Sequence, residues 1–218
     1  CKRLKMMLQT IQKIHFIGIG GAGLSAIAKV LIEQGKTVSG SDQVASATTD
    51  ALSRIGARIY LGHRAAQVDD AQLVVHSSAV RADNPELVAA RARNIPIVKR
   101  DALLRELMQD KRGIAVAGTH GKTTTTAMIA FCLSELGLDP TFIVGGIMAN
   151  YGTNARAGRG PHFVIEADEY DYMFLGLLPQ HAIVTNVEYD HPDCFPTEAD
   201  MVKAFQQFVT LPSLRQNG

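Results

Sequence analysis

The amino-acid sequence predicts an α/β protein made of two consecutive units, each built on a parallel sheet. Short apolar runs typical of buried strands alternate with helical stretches along the chain, which is the order expected when helices cover a parallel sheet. Two glycine-rich turns, at 18–23 and 118–123, each stand between a predicted strand and a predicted helix. The polar stretch 109–113 separates two series of such elements. We therefore predict a first unit over residues 1–108 and a second over 109–218.

The first unit is predicted to be Rossmann-like. Its apolar runs predict strands at 14–17, 37–40, 59–60, 73–75 and 97–98. Its helices are predicted at 22–34, 48–55, 85–93 and 101–108. Asn84 and Pro85 suit the N-cap and the first position of the third helix. Gly35 and Gly56 suit the ends of the first two helices, so the strand–helix alternation has clear stops.

The second unit has a shorter series of elements. Strands are predicted at 114–117, 141–144, 162–165 and 181–184, and helices at 124–136 and 197–210. The stretch 150–158 is polar and punctuated by glycine, and we predict it to be a loop. On the first helix, six residues are predicted to be available for burial: Met128, Ile129, Phe131, Cys132, Leu133 and Leu136.

Composition limits the classes of function. With 218 residues and 46% hydrophobic residues, the chain can bury a sizeable core. Its 22 Lys and Arg against 21 Asp and Glu give a formal net charge of +1, so no broad field favours nucleic acid or an anionic membrane as partner. No apolar run approaches the roughly 20 residues of a spanning helix, and three cysteines argue against a disulfide framework. We expect a soluble, cytoplasmic protein.

The turn 118–123 has the composition of a phosphate-binding loop. It consists of Gly-Thr-His-Gly-Lys-Thr between a strand and a helix, which points successive backbone N–H groups and a helix N-terminus at phosphates. Lys122 is placed to reach the β- and γ-phosphates, and the Thr123 hydroxyl to ligate Mg²⁺. Val116 stands where the usual pattern has glycine, so the loop is a shortened one. The sequence predicts a nucleoside triphosphate site; the alternative, a solvated lysine on a helix surface, explains none of the glycines.

The turn 18–23 matches the dinucleotide-binding pattern G-x-G-x-x-G and also follows a strand and opens a helix. Its glycines allow a diphosphate to approach the backbone, and Asp42 stands where a ribose hydroxyl would be bound. Ser77 and Ser78, after the strand at 73–75, either contact a base or ribose or simply cap their turn. NAD and a UDP-sugar both satisfy this pattern, as does a glycine turn that binds nothing.

Polar residues also follow two strands of the second unit. Glu166 follows the strand 162–165 and is the first choice as a ligand for a hard cation such as Mg²⁺. His191 follows the strand 181–184 and could hold a second divalent ion or position a phosphate. Arg156, in the predicted loop, could contact an anionic substrate. The alternatives are a solvated acidic turn, a plain loop histidine and a surface loop, respectively.

Together these segments resemble the Mur ligase family over nearly all the chain after residue 12. The resemblance rests on five segments: 18–23, 118–124, 151–156 (Tyr-Gly-Thr-Asn-Ala-Arg), 166–169 (Glu-Ala-Asp-Glu) and 185–191 (Thr-Asn-Val-Glu-Tyr-Asp-His). It implies a UDP-sugar-binding unit, then part of a phosphate-loop ATPase unit, with the family's C-terminal ligase domain outside this chain. We therefore expect the chain alone to be inactive or nearly so.

The resemblance implies an ATP-dependent reaction that joins the lactyl carboxylate of UDP-N-acetylmuramic acid to the amine of L-alanine through an acyl phosphate, in peptidoglycan precursor synthesis. It implies ATP and Mg²⁺ as cofactors, with Lys122 on the phosphates, Thr123 and Glu166 on one Mg²⁺, and His191 with Glu166 on a second. The implied ATP-binding residues are Gly118, Thr119, His120, Gly121, Lys122, Thr123 and Thr124. The implied UDP-sugar-binding residues are Gly18, Gly20, Gly21, Ala22, Gly23, Asp42, Ser77, Ser78, Asn154 and Arg156.

Two other enzymes stay open as alternatives. A recycling ligase that attaches a tripeptide to the same UDP-sugar would share the phosphate loop and the acidic segment. An NAD-dependent oxidoreductase would use the first turn but leave Lys122 and Glu166 without a role. A UDP-sugar-binding piece without catalysis is the third possibility.

Overall fold

A computed structural model describes residues 10–211, and the chain forms two compact units that divide after Glu106. Both units contain a five-stranded sheet, and the α/β class predicted from the sequence is confirmed. Among residues 10–211, no helix combines the length and the apolar character needed to span a membrane.

The first unit alternates strands and helices throughout. Its strands are Lys13–Ile17 (β1), Thr37–Asp42 (β2), Arg58–Leu61 (β3), Leu73–His76 (β4) and Ile97–Lys99 (β5). Its helices are Ala22–Glu33 (α1), Ala47–Arg54 (α2), Pro85–Ala92 (α3) and Arg100–Met108 (α4), and Ala65–Val68 forms a 3₁₀ turn. The strands are all parallel, in the order β3-β2-β1-β4-β5. From β1 the chain builds the sheet outwards in one direction through β2 and β3, and then in the other direction through β4 and β5. In parallel sheets of this kind, ligands bind beyond the carboxyl ends of the strands at the point between β1 and β4 where the strand order switches.

The core of the first unit lies on the two faces of β1 and β4. Phe16, Ile17 and Val74 are fully buried, as is Ile27 on the inner face of α1. Helix starts are fixed locally: the Ser46 side chain caps α2, and the Asn84 side chain accepts a hydrogen bond from the backbone of the first turn of α3. The predicted N-cap at Asn84 is confirmed.

The second unit has a mixed sheet. Its strands are Arg112–Ala117 (β6), Thr141–Met148 (β7), Thr153–Arg156 (β8), His162–Glu166 (β9) and His181–Val184 (β10). Its helices are Lys122–Glu135 (α5) and Glu198–Val209 (α6), and Tyr170–Gly176 forms a 3₁₀ turn. The order is β10-β6-β9-β7-β8, parallel except for the antiparallel pair β7–β8. β6, which leads into the phosphate loop, is thus flanked by β9 and β10.

Two predictions about the second unit are wrong. The stretch 150–158 is not wholly a loop, because Thr153–Arg156 pairs with β7 as an edge strand; its polar composition hid the pairing. On α5, Ile129, Phe131 and Leu133 are partly buried against the core as predicted, but Cys132 is exposed, and Met128 and Leu136 are 62% and 72% exposed. The reason is that α5 packs on the sheet through Ala130 and its neighbours instead.

Candidate functional site

The phosphate loop leads directly from β6 into α5, as predicted. Gly118 has φ +132° and Gly121 has φ +80°, backbone conformations that side chains other than glycine rarely adopt. Gly121 is the N-cap of α5, with no side-chain cap and no acidic residue in the first turn. Its first-turn N–H groups and the positive end of the helix dipole therefore suit an anion.

The segment 185–188 after β10 braces this loop. The backbone N–H of Thr119 donates to the Asn186 carbonyl at 3.1 Å, and that of His120 donates to Asn186 Oδ1 at 2.9 Å. The Thr119 hydroxyl donates to the carbonyl of Glu188 at 2.8 Å. These hydrogen bonds fix the conformation of the loop from the side of β10. The residue types in the loop itself do not predict this support.

Gly118 is the loop glycine with the least room. A Cβ there would meet the Thr185 hydroxyl and the Asn186 backbone, and its φ disfavours any other residue. We expect Gly118→Ala to weaken ADP binding by at least about tenfold, because either the loop or its brace must shift. Titration calorimetry with ADP measures this. Gly137→Ala is the matched control, since it also has a positive φ but nothing lies within 4 Å of its Cβ; an equal loss in both variants would contradict the expectation.

Lys122 lies folded into the loop that precedes it. Its Nζ donates to the carbonyls of Gly118 and Thr119 at 2.6 and 3.2 Å, and to Glu169 Oε1 at 2.8 Å. Glu169 is 1% exposed and has no role predicted from the sequence. The available signal was its position, three residues after Glu166, on a segment that follows a buried strand. A buried carboxylate therefore faces the ammonium that is expected to meet phosphates.

Thr123 and Glu166 lie together, as the predicted Mg²⁺ site requires. The Thr123 hydroxyl donates to Glu166 Oε1 at 3.1 Å, and the Gly145 N–H donates to Glu166 Oε2 at 2.6 Å. A hydroxyl and a carboxylate are hard oxygen ligands, and Mg²⁺ commonly takes one or two carboxylates and completes its coordination with phosphate and water. The residues present thus fit Mg²⁺ with a nucleotide.

The third predicted metal ligand, His191, lies beside Glu169. Its Nε2 is 3.9 Å from Glu169 Oε1 and 3.8 Å from Asp190 Oδ2. Over residues 10–211, no group of three or more His, Cys, Asp and Glu side chains is arranged to hold a metal ion by itself. A cation at this site would therefore take further ligands from a bound nucleotide or from water.

In the first unit, the glycine turn after β1 is tied to the end of β2. The N–H groups of Gly18 and Ile19 both donate to the Ser41 carbonyl, and that of Gly20 donates to Asp42 Oδ2 at 2.8 Å. Helix α1 starts at Gly21 with no side-chain cap. The turn is therefore open to an anion on its outer side.

A cavity of about 430 Å³ lies near the carboxyl ends of the strands, where the strand order switches between β1 and β4. Of the residues predicted to bind the UDP-sugar, Gly18, Asp42 and Ser77 line it together. His63 and Arg81 also line it, and neither was predicted. Volumes of this order are typical of small-molecule sites.

Arg100, at the start of α4, is a further residue that sequence reasoning missed. Its guanidinium lies against the Cα of Gly23 and leaves no room for a Cβ there. A cation at the first turn of α1 adds to the positive end of that helix. The only sequence signal was an arginine directly after β5, at the same edge of the sheet.

A buried polar network lies beneath this cavity. Glu86 and His15 are fully buried, and Glu86 Oε1 lies 2.9 Å from His15 Nε2. The Ser41 hydroxyl donates to Glu86 Oε2 at 2.7 Å, and His63 Nδ1 lies 2.7 Å from the same oxygen. Burial alone would raise the pKa of the Glu86 carboxyl, but the hydrogen bonds from His15, Ser41 and His63 hold that pKa below its usual value.

Arg156 and Asn154 lie in β8. The Arg156 guanidinium lies over two aromatic rings, 5.3 Å from that of Phe142 and 5.1 Å from that of Tyr151. Its Nη2 donates to Ser134 Oγ at 3.1 Å. The guanidinium is thus already engaged in packing α5 against the sheet, and its contact with a substrate stays a prediction.

Comparisons with known proteins agree with these two units. Residues 13–112 match the Mur ligase family, catalytic domain, and residues 116–216 match the Mur ligase middle domain. The chain is 53% identical over 204 residues to a UDP-N-acetylmuramate–L-alanine ligase of Laribacter hongkongensis and 50% identical to one of Methylibium petroleiphilum. Each alignment covers 93% of this chain and 44% of the relative, so the chain spans less than half the length of these curated relatives.

Solved structures of Mur ligases are also similar to this chain. The UDP-N-acetylmuramate:L-alanyl-γ-D-glutamyl-meso-diaminopimelate ligase from Neisseria meningitides is 31% identical, with a TM-score of 0.83 over 95% of this chain and 74% of that one. The UDP-N-acetylmuramate-alanine ligase from Thermotoga maritima is 38% identical, with a TM-score of 0.84 over 92% of this chain and 47% of that one. With sequence and structure in agreement over both units, the chain belongs to the Mur ligase family.

Proposed function

We propose that this chain carries the UDP-sugar-binding and ATP-binding units of a ligase that adds L-alanine to UDP-N-acetylmuramic acid in peptidoglycan precursor synthesis. The observation that carries the proposal is the pairing of two consecutive residues of the phosphate loop with two carboxylates, Lys122 with Glu169 and Thr123 with Glu166. An NAD-dependent oxidoreductase would have no use for this arrangement. The choice of L-alanine is supported by the names of relatives 50% and 53% identical to this chain.

In the proposed reaction, the lactyl carboxylate of UDP-N-acetylmuramic acid attacks the γ-phosphate of ATP. The bond from the γ-phosphorus to the bridging oxygen breaks, ADP leaves and an acyl phosphate forms. The amine of L-alanine then attacks the acyl carbon, phosphate leaves, and the amine gives up its proton as the amide forms. The first step brings two anions together, and the second develops an oxyanion and releases phosphate, so the site must supply positive charge and fixed N–H donors.

The chain's own groups meet this requirement in the second unit. The loop N–H groups and the start of α5 would bind the phosphate oxygens, with Gly118, Thr119, His120, Gly121 and Thr124 forming the cradle. Lys122 would turn its ammonium to the β- and γ-phosphates. Mg²⁺, held by Thr123 and Glu166 and by His191 at a second position, would supply further positive charge to the phosphates.

In the first unit, the proposed ligand is the UDP part of the substrate. The N–H groups of Ala22 and Gly23 in the first turn of α1 would bind the diphosphate. Gly18, Gly20 and Gly21, whose own N–H groups donate within the protein, would shape the turn that seats it, with Asp42, Ser77 and Ser78 at the nucleoside. Asn154 and Arg156, in the second unit, are proposed to contact the sugar side. The 430 Å³ cavity next to Gly18 supports this assignment, since a mostly apolar lining with a few polar side chains, Asp42, His63 and Arg81 among them, is usual for a small-molecule site.

The UDP-sugar assignment is tested by titration calorimetry on the 218-residue chain. We expect binding of UDP-N-acetylmuramic acid and no heat with NADH at the same concentrations. UMP serves as a control that separates recognition of the nucleoside from that of the diphosphate, and it should bind more weakly. Tight NADH binding together with silence toward the UDP-sugar would overturn the proposal.

The 31% identity and TM-score of 0.83 with the Neisseria meningitides ligase, whose name specifies a tripeptide acceptor, support a tripeptide as the alternative acceptor. Phosphate release with L-alanine and with L-alanyl-γ-D-glutamyl-meso-diaminopimelate distinguishes the two. The assay requires the protein over the full length of its curated relatives, since we propose that the 218 residues alone turn over ATP slowly or not at all. Faster phosphate release with the tripeptide than with L-alanine would show that the tripeptide, not L-alanine, is the acceptor.

A further inference from the structure

Glu169 lies between two side chains of the proposed ATP site, Lys122 and His191. Its Oε1 accepts a hydrogen bond from Lys122 Nζ at 2.8 Å and lies 3.9 Å from His191 Nε2. Glu169 stands three residues after the end of β9 and is the N-cap of the 3₁₀ turn Tyr170–Gly176. A single carboxylate thus reaches the phosphate loop after β6 and the segment after β10.

The second oxygen of this carboxylate is buried without a partner. Glu169 is 1% exposed, and within residues 10–211 its Oε2 accepts no hydrogen bond. A buried carboxylate oxygen without a donor costs free energy, and such atoms in native proteins commonly mark a place where a further group binds. Glu166, by contrast, has both oxygens engaged, by Thr123 and Gly145.

Lys122 has three N–H donors, and three acceptors of the protein receive them. The ammonium therefore cannot meet a phosphate without leaving at least one of these acceptors. Two of them are neutral carbonyls of the loop, Gly118 and Thr119. The third, Glu169, is a buried anion that competes with phosphate for the same charge.

We propose that Glu169 is a positioning residue of the nucleotide site, whose buried carboxylate holds the Lys122 ammonium in the loop and makes nucleotide binding depend on a divalent cation. When the ammonium turns to the phosphates, the carboxylate faces added negative charge from the nucleotide. Without a divalent cation this repulsion is uncompensated, so the nucleotide binds weakly. The inference rests on the proposed ATP site. It adds a residue that determines how strongly nucleotide affinity depends on a divalent cation.

The test compares ADP binding by calorimetry with Mg²⁺ and with EDTA in the wild-type chain and in Glu169→Gln. The amide keeps the shape of the side chain and an acceptor for Lys122 but removes the charge. We expect Glu169→Gln to bind Mg²⁺-free ADP about tenfold more tightly than wild type, and the ratio of the Kd in EDTA to the Kd in Mg²⁺ to fall by a similar factor.

Glu135→Gln is the matched control. Glu135 is exposed at the far end of α5, about 20 Å along the helix from Lys122, and its charge should leave the ratio within about twofold. A purely structural role for Glu169 would weaken binding in both buffers and leave the ratio unchanged; that result overturns the inference. Failure of the wild-type chain to bind ADP in either buffer would instead overturn the ATP site itself.

A thermal unfolding cycle tests the pair without any nucleotide. Lys122→Met leaves Glu169 buried and unpaired, so we expect Tm to fall by roughly 5–15 °C. Lys122→Met combined with Glu169→Gln should recover most of that loss, because the buried charge is gone. Equal Tm values for the single and double variants would show that Glu169 does not hold Lys122, and would contradict the inference even if Glu169→Gln alone did not fold.

Discussion

Replacing Lys122 by alanine is expected to lower phosphate release by the full-length ligase by about 10³-fold or more. The change removes the cation proposed to meet the β- and γ-phosphates, and charge stabilisation of a transferring phosphoryl group is the main contribution of such sites. Within residues 10–211, the variant also leaves Glu169 Oε1 with no partner other than His191 at 3.9 Å. A steady-state assay of phosphate release with saturating L-alanine and UDP-N-acetylmuramic acid measures the loss.

Binding of the UDP-sugar separates loss of chemistry from loss of fold. Lys122 lies in the second unit, whereas the proposed UDP site is in the first, so the affinity of Lys122→Ala for UDP-N-acetylmuramic acid should stay within about twofold of wild type. Lys203→Ala, at an exposed position of α6, is the matched control and should keep full turnover. Turnover by Lys122→Ala within tenfold of wild type would contradict the role assigned to this lysine.

The second large effect is expected at Glu86, where the loss is in stability. Glu86→Ala removes a fully buried carboxylate and leaves His15, Ser41 and His63 without their shared acceptor. We expect a loss of about 3–5 kcal/mol from the first unit, a large share of the total stability of a domain of this size. Hydrogen exchange of the β1 and β2 amides measures the opening free energy of this unit separately from the second.

A surface glutamate of the same unit provides the control. Glu33→Ala, beside Lys29 on α1, should cost less than about 0.5 kcal/mol because its ion pair is partly exposed. Glu86→Gln should cost less than Glu86→Ala, since the amide oxygen still accepts one hydrogen bond. If Glu86→Ala unfolds no more readily than Glu33→Ala, the network does not stabilise the unit.

The stability of the first unit should also depend on pH through the carboxyl of Glu86. Its pKa in the folded chain lies below the ordinary value of 4.5, so its stabilising contribution is complete above that value and is lost as pH falls below it. The wild-type chain should therefore lose stability on acidification through this range, and Glu86→Gln should show a flatter acid limb.

Strand–helix alternation and the two glycine turns were sufficient to predict the sheets, because burial and turn geometry act over short stretches of sequence. Every strand predicted from the sequence is present in residues 10–211, and Thr123, in the first turn of α5, donates a hydrogen bond to Glu166 at the end of β9, as the predicted metal site requires. The edge strand β8 was missed because its residues, Thr-Asn-Ala-Arg, are half-exposed and polar. An edge strand buries little, so its sequence carries little apolar signal.

The buried carboxylates escaped prediction for a different reason. Glu86 lies on a helix with a plain amphipathic pattern, and Glu169 lies in a run of acidic residues where a surface position is the usual expectation. Their partners, His15 and Lys122, are 71 and 47 residues away in the chain. Contacts at such separations depend on strand order, which the local sequence does not contain.

The hydrogen bonds from the segment 185–188 show that the phosphate-loop sequence motif is not sufficient to form the folded site. The hydrogen bonds of this segment to the loop join residues 65 to 69 positions apart, and β10 must already lie beside β6 for them to form. The loop therefore cannot acquire these hydrogen bonds until β10 has paired with β6, although its own sequence is contiguous. A peptide or shortened chain ending before β10 would contain every residue of the motif and still lack a formed nucleotide cradle.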